Sequence, residues 1–256
     1  MAKVRTLILH AAGTNCDAET AFAFELAGSV VESAQISELV REEKLLSSFQ
    51  IMVIPGGFTY GDDISAGKIL ANELRLKLDE DIRRFVDDGK LILGICNGFQ
   101  VLLKAGILPG CGDANPQSLT LAANDSGRFE CRWVHLRINE TTPCVFTRGI
   151  GNMYLPVAHG EGKVFAATGV PESLNAVLYY ADEKGGISAG YPHNPNGSLG
   201  NIAGICDASG RIFGLMPHPE RFVRWTQHPR WGRETPRNCG DGLQIFVNAV
   251  EWAKAI

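Results

Sequence analysis

The residues of this chain best placed for covalent chemistry lie in Gly94-Ile95-Cys96-Asn97-Gly98. An apolar run, Leu91 to Ile95, leads in and reads as a strand covered on both faces, while Phe99 to Lys104 leads out as a run of helix formers. Gly-x-Cys-x-Gly at such a junction has the physical logic of a nucleophile elbow. Small residues at Gly94 and Gly98 let strand and helix approach closely while the cysteine holds a strained, exposed turn. At a helix N-terminus the positive end of the dipole favours thiolate, the reactive form of the side chain. A free cysteine buried as a small hydrophobe is the alternative reading of Cys96. The flanking glycines and the strand-to-helix context favour the elbow.

A nucleophilic thiol needs a base, and Pro217-His218-Pro219-Glu220-Arg221 offers one. His218 and Glu220 stand two apart on what should be an extended segment, so their side chains point the same way. Pro217 and Pro219 stiffen it and keep it out of a continuing sheet. An imidazole there can take the thiol proton while the carboxylate holds its tautomer and stabilises the imidazolium. Alone, His-x-Glu reads equally as a surface loop; with the elbow it completes a Cys-His-Glu triad in chain order. Pro55-Gly56-Gly57 follows an apolar run, and its glycines allow N–H groups to face a cleft and bind an oxyanion, or simply form a turn. His159, in Val157-Ala158-His159-Gly160-Glu161-Gly162, is open to a chemical role and to a hydrogen-bonding or packing one.

Strands are expected at 4–9, weakly at 30–31, and at 51–54, 91–95, 176–180, 201–206 and 212–216. Helices are expected from Ala18 to about Leu26 with Asp17 able to cap, over 37–46, from Ile69 to about Asp88 and over 242–253. This alternation indicates an α/β fold with a mostly parallel central sheet and helices on both faces. Ligands bind at the carboxyl ends of such strands, where Gly56-Gly57 and Cys96 both sit. The middle differs. Residues 106–127 are turn-rich, and from Phe129 to Ile138 the apolar phase slips near Trp133-Val134, predicting a β-bulge and antiparallel strands in a small added sheet. The stretch from Arg221 to Asp241 is basic and aromatic, with Trp225, Trp231 and five arginines; it reads as a solvated loop or as a partner contact.

With 256 residues and a net charge of -4, the chain is expected to be one α/β domain over 1–256, with no electrostatic reason to bind nucleic acid. No apolar run approaches membrane-spanning length, and Met1 leads straight into a strand with no signal-peptide pattern, so a cytoplasmic location is expected. Seven scattered cysteines, at 16, 96, 111, 131, 144, 206 and 239, contain no Cys-x-x-Cys pair. That argues against a disulfide framework and a structural zinc site, and for core filling. No metal ligands are assigned. Asn196-Gly197-Ser198 matches a glycosylation sequon but reads as a turn.

Five segments together carry a resemblance: Gly13-Thr14-Asn15-Cys16-Asp17, Pro55-Gly56-Gly57-Phe58-Thr59-Tyr60-Gly61-Asp62, Gly94 to Gln100, Pro156 to Gly162, and Met216 to Arg221. The chain resembles the triad, or class I, glutamine amidotransferases, which have a flavodoxin-like fold. Within them it is similar to the glutaminase subunits of phosphoribosylformylglycinamidine (FGAM) synthase. The resemblance implies that Cys96 attacks the amide of L-glutamine, that His218 carries the proton to the leaving ammonia and that Glu220 orients His218. It further implies that the Gly57 and Asn97 backbone N–H groups hold the oxyanion and that Gln100 belongs to the glutamine pocket. Ammonia would pass to a larger synthase subunit that holds ATP and Mg, so this chain would need no cofactor of its own; a third small subunit is left open. Compact members of the group pass quickly from His-Pro-Glu-Arg to the last helix, whereas the excursion to Asp241 resembles the tail of the large single-chain enzyme. The start at Met1 favours a free-standing subunit. The glutaminase of another amidotransferase, a cysteine hydrolase without a synthase and a non-catalytic interaction subunit are the competing functions.

Overall fold

The computed structural model describes residues 3–42, 45–110, 119–167, 169–171, 173–187 and 190–256. The chain opens with β1 (Arg5–His10), α1 (Asp17–Leu26), β2 (Val30–Gln35), α2 (Ile36–Arg41) and β3 (Ile51–Ile54). Next come α3 (Lys68–Lys77), α4 (Asp79–Asp87), β4 (Leu91–Ile95) and α5 (Asn97–Ala105). A run of strands follows: β5 (Thr120–Ala123), β6 (Glu130–Ile138), β7 (Asn152–His159), β8 (Glu161–Phe165) and β9 (Asn175–Ala181). β10 (Ile202–Cys206), β11 (Ile212–Leu215) and α6 (Leu243–Ala253) close the chain.

Nine strands share one sheet in the order β2-β1-β3-β4-β11-β10-β9-β6-β7, and β5 pairs with β8 in a second sheet. From β2 to β11 the neighbours run parallel, and from β11 to β7 they alternate antiparallel. The α/β class and the small antiparallel addition are as expected. β3, β4 and β11 are buried along their whole length, which is why the sequence carries them as unbroken apolar runs. Because β1, β3, β4 and β11 are parallel, the loops after His10, Ile54, Ile95 and Leu215 all emerge at one end of the sheet. Three of these loops carry the residues singled out above for chemistry: Gly56-Gly57, Cys96, and His218 with Glu220.

Four expectations are corrected. The single helix over 69–88 is two helices, broken at the buried Leu78 (φ -132°, ψ 12°). Asp79, Glu80 and Asp81 follow as the acidic first turn that a new helix N-terminus favours. Asp17 does not cap α1; its carboxylate accepts a 3.0 Å hydrogen bond from the His10 ring, and Cys16 takes the cap position. β6 carries no bulge near Trp133. It pairs with β7 residue for residue from Glu130↔His159 to Arg137↔Asn152, and it joins the main sheet rather than an added one. The slipped phase has a different cause: Trp133 packs on the outer face against Tyr154, Phe222 and His228, at ring-centroid distances of 5.2, 5.2 and 5.7 Å. The 221–241 excursion therefore covers this outer face of the strand, so both phases are apolar. Lastly, α2 ends at Arg41, with Gln35 and Glu38 forming a capping box; Glu43 and Lys44 of the expected 37–46 helix lie outside the described residues. So do 111–118 of the turn-rich segment, with Cys111. Of the six described cysteines, Cys16, Cys96, Cys144 and Cys206 are buried, while Cys131 and Cys239 are exposed.

At Gly98 α5 approaches β3 with no space for a side chain. A Cβ on Gly98 would stand 1.8 Å from the Ile54 carbonyl oxygen, and one on Gly94 would stand 2.5 Å from Leu102. Gly98→Ala is therefore expected to destabilise the protein by about 1–3 kcal/mol or more. Gly151→Ala, where an added Cβ meets nothing within 4 Å, should stay within about 0.5 kcal/mol of the parent. Denaturant unfolding of the two variants checks this; equal midpoints would contradict the packing account.

Candidate active site

Cys96 occupies the turn between β4 and α5 with φ 51° and ψ -103°, a conformation that costs a non-glycine residue energy and must be imposed by its surroundings. Two contacts impose it: the Gly98 approach to Ile54, and a 2.8 Å hydrogen bond from the Cys96 N–H to the Leu215 carbonyl of the neighbouring strand. The side chain is 5% exposed, and Sγ lies 3.6 Å from the Ala158 carbonyl oxygen. The strained elbow is the one that the glycine spacing predicts, but its cysteine is buried rather than exposed.

β11 lies beside β4 in register, with Leu215 opposite Ile95, so its continuation delivers His218 next to Cys96. The His218 N–H donates to the Pro156 carbonyl (2.9 Å), fixing the loop to β7. His218 Nδ1 donates to Glu220 Oε1 at 2.6 Å, and the two side chains are 2% and 0% exposed. They meet by a different geometry from the one expected, because Pro219–Arg221 form a 3-10 turn that brings Glu220 back under the ring instead of an extended alternation. Burial opposes charge on His218, but the Glu220 carboxylate and, after it, the Cys96 sulfur outweigh it and hold its pKa well above the ordinary 6.5. Gly56 backs the ring; a Cβ there would stand 2.8 Å from His218 Cε1.

The other predicted residues have distinct surroundings. Gly57 has φ 152° and packs on the Gly13–Asn15 turn, where a Cβ would meet the Gly13 oxygen at 2.7 Å. Asn97 starts α5, so its N–H has no acceptor within the helix. Its side chain accepts from Thr59 Oγ1 (2.7 Å) and donates to Gln100 Oε1 (2.8 Å), tying the 59–62 loop to the elbow. Gln100 also donates to the Glu161 carbonyl at 2.6 Å, which leaves its amide one N–H and one lone pair for a ligand. His159 is buried; its Nδ1 donates to Asn124 Oδ1 (3.1 Å), and Nε2 finds no partner among the described residues. Burial, reinforced by His218, lowers its pKa to about 4, so it is a neutral ring that packs on Gly162. Asn196, read as a turn residue, is buried and donates to the Gly162 carbonyl at 2.7 Å, which braces the same turn. Phe58 and Phe129, 45% and 52% exposed, approach to 6.4 Å between ring centroids.

Two groups in contact with the triad received no role from the sequence. Cys16 Sγ lies 4.0 Å from His218 Nδ1 and accepts an N–H from Arg221 Nη2 at 3.0 Å. Cys16 belongs to a motif and Arg221 adjoins the base, but only the meeting of two loops 205 residues apart reveals the contact. Cys16, His218 and Glu220 present three metal-ligating atoms within 4.8 Å of one another. They suit a cation poorly, because Nδ1 and Oε1 are engaged with each other and a guanidinium already sits on the sulfur.

A family profile described as the CobB/CobQ-like glutamine amidotransferase domain matches residues 3–253. The chain belongs to that family. This amidotransferase is 59% identical, over the full length of both chains, to a protein of Dehalococcoides mccartyi named phosphoribosylformylglycinamidine synthase subunit PurQ. It is 42% identical, over 97% of each chain, to the protein of that name from Methanococcus maripaludis. Among solved structures it matches a chain of PurLQS from Thermotoga maritima with a TM-score of 0.74 at 32% identity, covering 98% of this chain and 99% of that one. No helix among the described residues is long and apolar enough to cross a membrane.

The neutral His159 has a measurable consequence. An unfolded histidine binds its proton near 6.5 and the folded His159 only near 4, so between these values the unfolded state holds more protons and acidification draws stability from the fold. His218, whose folded pKa is raised, contributes a constant amount below about 6.5 and loses it only as pH rises further. His159→Gln should therefore flatten the stability profile between about pH 6.5 and 4 by up to about 3 kcal/mol, read by denaturant titration at each pH. An unchanged slope would show that His159 is not held neutral.

Proposed function

We propose that this amidotransferase is the glutaminase subunit of an FGAM synthase, hydrolysing L-glutamine and handing the ammonia to a synthase partner. The observation that carries the chemistry is a strained cysteine at the start of α5 beside a buried histidine whose far nitrogen is held at 2.6 Å by a buried glutamate. Cys96 sulfur attacks the side-chain amide carbon of glutamine while His218 holds the proton taken from the thiol. The oxyanion rests on the Gly57 and Asn97 N–H groups. His218 then gives its proton to the leaving nitrogen, ammonia departs and a thioester remains. Water, deprotonated by the same imidazole, adds to the thioester, and glutamate is released as the sulfur leaves. Glu220 keeps Nδ1 protonated and stabilises the imidazolium throughout. Gln100 borders the glutamine pocket with its uncommitted N–H and lone pair.

The identity to PurQ proteins supports the reaction the ammonia serves: conversion of formylglycinamide ribonucleotide to formylglycinamidine ribonucleotide in purine synthesis. The likeness to a chain of PurLQS supports a larger synthase subunit and a small third subunit as partners. ATP and Mg belong to the synthase, and every step above uses only this chain's own side chains and backbone N–H groups, with glutamine and water. We read residues 1–256 as one amidotransferase unit working in the cytoplasm. The exposed Phe58 and Phe129 flank the loops around Cys96 and suit a surface that a partner covers, keeping ammonia from water.

Reconstituted with the synthase, Cys96→Ala should lose at least about 10³-fold of glutamine-dependent synthesis while synthesis from added ammonium salts stays at the parental rate. Unchanged glutamine-dependent activity would make the chain a non-catalytic subunit. Strong peptide cleavage by the parent, without ammonia release from glutamine, would make it a hydrolase.

A further inference from the structure

We propose that Cys16 is a positioning residue for the base: by accepting an N–H from Arg221, its sulfur keeps the guanidinium off Glu220 and leaves that carboxylate to His218. This rests on the triad reading and deepens it. Arg221 Nη2 lies 3.0 Å from Cys16 Sγ, whereas its Nε is 3.9 Å from Glu220 Oε1 and equally far from Glu19 Oε1. Glu220 is fully buried, and its second oxygen, Oε2, has no partner among the described residues. A buried carboxylate oxygen without a donor, beside a guanidinium, is a strong attractor. Arg221 and Glu220 are at long ion-pair distance, 3.9 Å, and the hydrogen bond that engages the guanidinium short of direct contact with the carboxylate is the one to the sulfur. Cys16 is itself fixed: it is 1% exposed, its thiol donates to Asn15 Oδ1 at 3.1 Å and its N–H donates to the Gly56 carbonyl at 3.2 Å.

The arrangement matters because an Arg–carboxylate pair would neutralise the charge on which the imidazolium depends. The groups that face His218 are Cys96 from the elbow, Glu220 from its own loop, Cys16 from the loop after β1 and His159 from β7, with Arg221 and Glu19 behind. His159 is neutral and adds no charge near neutral pH. Of the remaining neighbours, Arg221 is the cation able to turn toward Glu220. Its 4.0 Å contact leaves Cys16 as packing against the ring, not as a second acceptor, since Nδ1 already donates to Glu220.

The test follows alkylation of Cys96 by iodoacetamide in the full chain, with the site resolved by mass spectrometry, from about pH 6 to pH 9. In Cys16→Ala, Arg221 should close on Glu220, so the rate at neutral pH falls severalfold while the alkaline rate, where the sulfur needs no imidazolium, is unchanged. Cys16→Ser, whose hydroxyl oxygen also accepts from Arg221, should restore most of the neutral rate. So should Arg221→Gln in the Cys16→Ala background, which removes the competing charge. A loss of equal size at every pH, no loss, or failure of both rescues would overturn the inference. Alkylation requires no glutamine: if the pattern appears while the parent with its synthase makes no ammonia, the functional reading fails alone. If ammonia is made and the pattern is absent, this inference fails alone.

Discussion

The site depends first on one close approach. The backbone of α5 at Gly98 lies against the last carbonyl of β3 with no room for a side chain, and that contact forces Cys96 into its left-handed turn. The same cysteine is bonded through its N–H to Leu215 at the end of β11. Because β4 and β11 are adjacent parallel strands, Cys96 and His218 leave the sheet side by side at its carboxyl end. Strand spacing brings the two together, and the local turns aim them.

Around this pair the polar groups are arranged for function more than for stability. A buried histidine and glutamate gain little over apolar residues of the same volume, since desolvation offsets most of their attraction. Glu220 Oε2 and His218 Nε2, without a partner among the described residues, would be liabilities in an ordinary core. Both make sense where a proton has to be taken up and released. The surrounding shell is firmly bonded by contrast: Asn97 to Thr59 and Gln100, Gln100 to Glu161, and Asn124 to His159 and Gly162. The elbow, the 59–62 loop and the 159–162 turn are thereby held as one rim.

Much of this was legible because the governing constraints are local. Unbroken apolar runs marked the strands buried on both faces, and β3 and β4 fall where those runs fall. Glycines at 94 and 98 marked the close crossing at the elbow. The misreadings arose where a second contact overrode the local pattern. The phase slip at Trp133 looked like a bulge because the strand's outer face is covered by residues nearly a hundred positions away. The two-residue spacing of His218 and Glu220 suggested extended alternation, whereas a tight turn brings them together. Asp17 had the chemistry of a cap, and His10 took its carboxylate.

By itself, the sequence determined the strand-and-helix alternation, the elbow and the chain order of Cys96, His218 and Glu220. Each is encoded in spacing that a residue imposes on its near neighbours. Only the tertiary structure decided what surrounds the base. Cys96, Cys16, Gly56 and His159 converge on His218 from separate segments of the chain, and burial with the Glu220 carboxylate and the Cys96 sulfur sets its charge. Electrostatic interactions depend on separation in space and on burial, which chain order does not record.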